Sequence, residues 1–378
     1  MRTLLITRNF PPLRGGMERL NARMFEALSA HDPGSALVGP SGSVACLPEG
    51  TRVRELPIAS LPATIVASVV RGVGLARATR PDIVLAGSGL TAPAAVAAAR
   101  TIAAQAAVYL HGLDIVAPSR VYRLAWWPCI RRCSRVLVNS ANTRRLAIGA
   151  GVDPSRIRIV HPGTDLPDTD PSARARYRAG QGIASNTPVL LSVGRLTTRK
   201  GLAEFVALAF PQIVAAYPDA RLLVIGDQAP DALHPGGGAG FERVRAAAEA
   251  GGLSASVTWL GPCSDAELAD AYQAADVHVF PVRDMPGDVE GFGMVAIEAA
   301  AHGLPTVAFD VGGVADAVVT GRNGNLVHAN DHDAFARAVR DVLADPDPAG
   351  RSARARSFAQ AFSWDRFGRE VIEALAIA

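Results

Sequence analysis

The stretch Glu290–Asp310, EGFGMVAIEAAAHGLPTVAFD, decides how the chain is read. Glu290 opens it with a carboxylate, and Gly291 and Gly293 flank Phe292 in a turn. A helical run starting at Met294 and Val295 carries a second carboxylate, Glu298, eight positions after the first. Gly303-Leu304-Pro305 then stops the helix, and Thr306–Phe309 reads as an apolar strand. A loop feeding a helix N-terminus collects anions, because the first backbone N–H groups lack partners and the helix dipole is positive there. A carboxylate just outside that end and one inside it can hold hydroxyls while the amides hold phosphate, which is the chemistry of a nucleotide sugar. A plainer reading stands beside it: a Gly-Phe-Gly turn before a buried helix, with Glu298 solvated.

Working outward, 378 residues exceed one ordinary core and predict two domains of similar size. The composition, 49% hydrophobic and 19% charged, fits large cores and excludes disorder. A net charge of +3 argues against a dedicated nucleic-acid binder. The four cysteines, Cys46, Cys129, Cys133 and Cys263, form no CxxC pair and suit a reducing compartment, so the expected location is cytoplasmic. The apolar run in MRTLLITRNFPPLRGG is too short for a signal peptide, and no uncharged run of 18 apolar residues is found.

The first half alternates strand and helix. Arg2–Thr7 reads as a buried strand, followed by a loop ending in Arg14, Gly15 and Gly16 and a helix from Met17 to His31. That order brings backbone amides close to a phosphate, although the dinucleotide fingerprint GxGxxG is absent. Ala106–Leu110 predicts a strand running into HGLDI, so His111, Gly112 and Asp114 stand at a strand's carboxyl end, where open α/β sheets place ligands. In Ser119–Arg135 arginines alternate with Tyr122, Trp126 and Trp127. Arg120–Arg135 fits a peripheral contact with an anionic membrane, or else tryptophans in the core under a wet basic face. Arg135–Asn139 and Arg156–Val160 are further strands, and the polar stretch 167–187 is expected to be the linker.

The second half restarts with the strand Pro188–Val193 and the loop Gly194–Gly201, GRLTTRKG. Arg195 and Lys200 on that loop are two fixed cations at a helix start, which is what a diphosphate needs as a binding site and leaving group. The P-loop pattern GxxxxGK[ST] is not matched. Arg221–Ile225 is a strand ending at Gly226-Asp227, His234–Gly240 is expected to be a mobile loop, and Ser264 with Glu267 forms a helix capping box. Asp331–Asp345 is an amphipathic helix. The tail carries Phe358, Phe362, Trp364 and Phe367 on an apolar face that must dock. The expected division is 1–166, linker 167–187, 188–358, and a terminal helix 359–378 packing back on the first domain. The fold class is α/β, two doubly wound Rossmann-like domains facing a cleft.

With GGMER, HGLDI, HPGTD, GRLTTRKG, Asp227 and EGFGMVAIE in this order, the whole chain resembles the retaining glycosyltransferases of the GT-B fold, family 4. The resemblance implies that Arg195 and Lys200 hold the donor diphosphate as it leaves, and that Glu298 binds the ribose. It implies Glu290 on the donor sugar, with Gly291, Phe292, Gly293, Met294 and Val295 beside sugar and phosphate. Gly15, Gly16, Gly194 and Asp227 also line the donor, and His111 bonds the sugar near the reacting carbon. Asp114 would orient His111, and Arg14, Asp114 and Asn139 would face the acceptor. His161 and Thr164 depart from the family pattern. GDVEGFG is similar to mannosyltransferases, so GDP-mannose or a related GDP-sugar comes first and UDP-sugars next. The expected acceptor is a glycan or lipid-linked glycan, as in surface polysaccharide or lipopolysaccharide assembly.

The reaction implied retains configuration by front-face substitution, with no cofactor and no metal. Asp168-Thr169-Asp170 and Asp345-Pro346-Asp347 mimic a metal-binding DxD but lie in turn-like stretches rather than at strand ends. A nucleotide-sugar epimerase of the same fold and a non-catalytic sugar-nucleotide binding protein are the alternatives. Product analysis without acceptor and turnover assays distinguish them.

Overall fold

The computed structural model describes residues 1–58, 60–116, 119–227 and 240–376. They form two compact units. The first comprises Met1–Gly163, Pro286–Phe292 and Ser363–Ala378, the second Thr164–Met285 and Gly293–Phe362. The glycine-rich stretch expected to be a mobile loop lies, but for Gly240, outside the described residues.

In the first unit, Thr3–Ile6 (β1), Ala36–Pro40 (β2), Arg52–Leu56 (β3), Ile83–Ala86 (β4), Gln105–Leu110 (β5), Arg135–Val138 (β6) and Ile157–Ile159 (β7) form a parallel sheet. The order is β3-β2-β1-β4-β5-β6-β7. The inner strands β1, β2, β4, β5 and β6 are apolar on both faces because both faces are covered. Along β1, Leu4 and Ile6 enter one core and Leu5 the other; along β5, Val108 and Leu110 enter the first, Ala107 and Tyr109 the second. That second core is closed by Leu20, Met24 and Phe25 of the Gly16–His31 helix and by Phe367, Val371 and Leu375 of the Trp364–Ala376 helix. The terminal helix thus starts at Trp364. Phe358 and Phe362, read as part of its apolar face, belong to the Pro348–Ala359 helix and the turn after it, in the second unit.

In the second unit, Val189–Val193 (β8), Arg221–Ile225 (β9), Val257–Gly261 (β10), Val277–Phe280 (β11), Thr306–Phe309 (β12) and Gly324–Val327 (β13) pair in parallel in the order β10-β9-β8-β11-β12-β13. Strand order reverses between β1 and β4 in one sheet and between β8 and β11 in the other. Crevices that take ligands open outside the carboxyl ends of the strands at such switch points.

The stretch 167–187, expected to be a linker, contains the helix Ala173–Gly180, packed on the Asp265–Ala274 helix in the second unit. Its most buried fastening is Arg178. Arg178 donates to Asp276 at 2.9 Å and to the carbonyls of Ala274 at 2.9 Å and Thr187 at 2.8 Å. Asp276 also accepts from the Val189 amide at 2.7 Å and from Arg174 at 2.6 Å, which ties the helix to the start of β8.

Candidate active site

In the second unit, the phosphate-type loop leaves β8 through two glycines from neighbouring strands. Gly194 and Gly226 lie so close that a Cβ on Gly226 would stand 2.0 Å from the Gly194 carbonyl oxygen. Gly194 N–H donates to Ile225 O at 2.9 Å, and Leu196 N–H to Asp227 O at 2.9 Å, so Gly194 and Asp227 are brought together. The loop closes at Gly201, left-handed at φ 68°, where any Cβ would strike the Pro281 carbonyl at the end of β11. This seats Lys200 with its ammonium 4.7 Å from the centre of the Phe280 ring. The same ring faces Gly293: a Cβ there would lie 3.0 Å from Phe280 Cε1.

Gly293, at φ 104°, is the N-cap of the Met294–Ala301 helix, and no side chain caps that end. Lys200 and an uncapped helix N-terminus therefore both border Phe280; an ammonium and a row of first-turn amides are groups that an anion takes. Met294 and Val295 form the first turn. Glu298 is 8% exposed and accepts from the Tyr272 hydroxyl at 3.3 Å. Arg195 stands exposed on the loop.

Several groups at this edge carry no signal in the local sequence. Arg283 donates its amide to Arg199 O at 2.8 Å, and its guanidinium pairs with Glu204, which also pairs with Arg243 at 2.7 Å. His278 lies under Phe280 with Nδ1 3.1 Å from Thr306 Oγ1; burial, and then the Lys200 charge, push it down to about 3. A hint of Arg283 was available in its position just past a predicted strand end.

In the first unit, His111 ends β5 with its ring tied down: Nε2 lies 2.9 Å from Gly87 O, just past β4. Nε2–H is the donor to that carbonyl, leaving Nδ1 as the acceptor. Asp114, expected to orient His111, does so through the backbone; among the described residues no hydrogen bond joins it to the imidazole. Its carboxylate accepts from the backbone amides of His111 at 2.9 Å and Gly89 at 2.8 Å, fixing the loop rather than the ring. Asn139, expected toward the acceptor, is buried. It donates to His111 O at 3.2 Å and accepts from Thr143 Oγ1 at 2.7 Å. Both ends of its amide are used within the fold.

Glu290, Gly291 and Phe292 also group with the first unit, so the two carboxylates of the opening stretch fall in different units. Gly291 passes so near the His111 carbonyl that a Cβ would stand 2.0 Å from that oxygen, and Phe292 stacks on His161 at 5.5 Å. His161, a departure from the family pattern, thus has a partner. Arg14, Gly15 and Gly16 are exposed at the start of the Gly16–His31 helix. The Glu18 carboxylate lies over Gly15, held by Asn9 Nδ2 at 2.7 Å, so a phosphate reaching Gly15 meets that carboxylate.

Both DxD look-alikes have local duties. Asp170 accepts from Ser172 N at 2.8 Å and Arg176 at 2.9 Å; Asp345 pairs with Arg351 at 2.7 Å, and Asp347 caps the Pro348–Ala359 helix at Gly350 N, 2.9 Å. In Ser119–Arg135 the aromatics turn inward. Trp126 donates to Leu90 O at 2.8 Å and stacks on Tyr122, while Trp127 packs on the core under Arg131. Val121 and Leu124 face out, 71% and 79% exposed.

Two family models match the chain: "Glycosyltransferase Family 4" over residues 14–167 and "Glycosyl transferases group 1" over 173–362. The chain belongs to the group 1 glycosyl transferase family. It is 36% identical to a D-inositol 3-phosphate glycosyltransferase of Mycolicibacterium vanbaalenii over 236 residues, 61% of this chain and 50% of the relative. The chain thus spans about half the length of the curated relatives it matches. Among solved structures it is similar to Anabaena HepE in complex with UDP, at TM-score 0.83 and 22% identity over all of both chains. It is likewise similar to the sucrose-phosphate synthase of Thermosynechococcus elongatus, at TM-score 0.79 and 23% identity, covering 99% and 98% of the two chains. These likenesses show the fold: GT-B, as the motif order implies.

Proposed function

We propose that this group 1 glycosyl transferase moves a hexosyl group from a nucleoside-diphosphate sugar to a hydroxylated acceptor with retention of configuration. The observation that carries the reading is that Lys200 and the uncapped Gly293 helix end both border Phe280, with the buried Glu298 further along the same helix. In this reading Lys200, Arg195 and the first-turn amides hold the diphosphate and take up charge as the glycosyl bond breaks, so no metal or cofactor is required. Glu298 accepts the ribose hydroxyls, with Asp227 and Gly194 at the adjoining strand ends. His111, its ring fixed by Gly87, offers Nδ1 to a sugar hydroxyl, and Glu290 to Phe292 lie beside His111. The leaving phosphate takes the acceptor proton.

GDVEGFG supports a GDP-sugar, whereas HepE, a neighbour in fold, is described in complex with UDP. A thermal-shift panel of GDP, UDP, ADP and their sugars tests the site. A ligand at about 100 times its Kd adds about 2.7 kcal/mol, a clear shift. A shift with one diphosphate is expected; no shift with any of them sinks the donor site.

For the acceptor we propose a lipid-linked glycan met at the cytoplasmic membrane face. Support comes from outward apolar side chains rather than from the tryptophans. The Leu61–Thr79 helix is long and apolar enough by composition to cross a membrane. It buries Thr64, Ser68, Gly72 and Leu75 against its own unit and turns Val66 and Val70 outward, 63% and 66% exposed. These valines, with Val121 and Leu124 beside Arg120 and Arg123, fit a surface contact with anionic lipid. Flotation with anionic vesicles should carry the wild-type chain and lose a Val66→Asp/Leu124→Asp variant. No flotation of the wild type ends this part of the reading. An inositol 3-phosphate, the compound in the relatives' name, is the rival acceptor to assay.

A further inference from the structure

We propose that the second unit carries a separate anion site at the opposite edge of its sheet, built from Arg356, Ser352 and His302. It would take a phosphorylated sugar, and its occupancy would tune the nucleotide site. The tuning rests on the reading of Glu298 given above; the anion site itself does not.

A cavity of about 800 Å3 opens where the strands of the second sheet begin. Pro188 before β8, Asp219 before β9, Asp276 before β11 and Pro305 before β12 line it. The Gly194–Gly201 loop lies at the other ends of these strands, so the cavity is not part of the proposed donor site.

The charges in its wall are unevenly satisfied. Arg174 pairs with Asp276 at 2.6 Å and Arg351 with Asp345 at 2.7 Å. Arg356 instead donates to two hydroxyls, Thr169 Oγ1 at 3.0 Å and Ser352 Oγ at 3.1 Å, and among the described residues no carboxylate lies within ion-pair distance of it. A guanidinium bonded only to neutral hydroxyls keeps its charge for an anion. The place is shaped around it: Gly303 is left-handed at φ 78°, and a Cβ there would fall 2.1 Å from Ser352 Oγ and 2.9 Å from Arg356 Cζ. Asp219, Asn186 and Gln273 on the cavity wall are partners for sugar hydroxyls, which is why a phosphorylated sugar fits better than bare phosphate.

The connection to the donor site runs through one residue pair. His302 caps the C-terminal end of the helix that Gly293 begins. Its Nδ1 lies 2.9 Å from Glu298 O, its ring stacks on Tyr272 at 5.0 Å, and Tyr272 donates to the Glu298 carboxylate at 3.3 Å. His302 Nε2 is buried without a hydrogen-bond partner among the described residues. Burial first, and the Arg356 charge second, hold His302 down at about 4. An anion on Arg356 removes the second cause, so Nε2, a bare acceptor while Nδ1 donates to Glu298 O, takes a proton and donates to the anion; the imidazole is in contact with both Glu298 and the ring that orients its carboxylate.

Equilibrium dialysis with inorganic phosphate and with glucose 6-phosphate, in phosphate-free buffer, tests the site without nucleotide. The hexose phosphate should bind wild type and Lys200→Ala alike and weaken at least about tenfold in Arg356→Gln, with Arg356→Lys retaining part. A thermal melt of each variant guards against misfolding. Binding lost in Lys200→Ala but kept in Arg356→Gln would put the ligand in the donor site and overturn the proposal. A saturating hexose phosphate should change the nucleoside diphosphate Kd by about fivefold or more in wild type and not in Arg356→Gln; an unchanged Kd overturns the coupling. If no nucleoside diphosphate binds while the Arg356-dependent binding persists, the donor reading falls and the anion site stands.

Discussion

Lys200 shows how one side chain is made useful by its neighbours. A lysine on a solvated turn wanders, and the freedom it must lose to be fixed costs free energy. Here Gly201 pins the loop against the Pro281 carbonyl, and the face of Phe280 lies beneath the ammonium. A cation over an aromatic face is attracted by the ring's quadrupole, which narrows where the ammonium sits. On the proposed reading that charge matters most when negative charge develops on the leaving diphosphate. Lys200→Ala should therefore lower kcat by roughly 100-fold or more, with a smaller effect on the Kd of the nucleoside diphosphate. Steady-state rates beside equilibrium titration separate the two effects. An unchanged kcat removes Lys200 from the reaction, and an equal loss in both would make it a binding group only.

At the scale of elements, the sequence was most readable where apolar runs are bounded by glycine and proline. Thr306–Phe309 is a strand between the residues its pattern marks, and the Ser264–Glu267 capping box closes as its spacing predicts. The doubly wound α/β class followed from repeated strand, glycine loop and helix. Some elements escaped because their signals cancel locally. The edge strand Arg52–Leu56 alternates charge with apolar residues, and the Leu61–Thr79 helix blurs the usual pattern, with Thr64 and Ser68 inward beside Leu75 while Val66 and Val70 face outward. Ala173–Gly180 looks like linker because ARARYR has no apolar stripe; its anchor, Arg178, is 2% exposed and bonds both to nearby carbonyls such as Thr187 O and to Ala274 and Asp276 far along the chain. The candidate site has the same limit. Residue types at strand ends could be picked out by position. That Phe280 joins Lys200 to Gly293, or that Asp114 serves backbone amides, depends on contacts between segments that no local pattern encodes.

For the molecule as a whole, the buried histidines set how stability answers to pH. His278 is fully buried and His302 largely so, and burial is the leading cause that lowers both from the usual 6.5, to about 3 and about 4. Unfolded, each takes a proton near 6.5; folded, each stays neutral until well below that. Between those values the unfolded state binds more protons, so stability rises with pH and falls as pH drops. Their contribution is whole above about pH 7 and is lost through the window from 6.5 down to 4 and 3. Each histidine then costs about 1.4 kcal/mol per pH unit. The carboxylates act lower: Asp170, held at about 2 mainly by Ser172 and Arg176, shifts the balance only below its usual 3.8. Acid loss should therefore begin near pH 6, before the carboxylates titrate, and in the second unit, where both histidines lie. Calorimetric melts from pH 8 to 4.5 in phosphate-free buffer read this as a falling Tm for the transition that nucleotide shifts. His278→Asn should lower that Tm at every pH yet flatten its slope between pH 6 and 5, leaving the part that His302 and the partly buried His332 contribute. A slope identical to wild type would mean that His278 is protonated in the fold, and that the pairing of a neutral imidazole with Thr306 beneath Phe280 is not the arrangement that holds Lys200 in place.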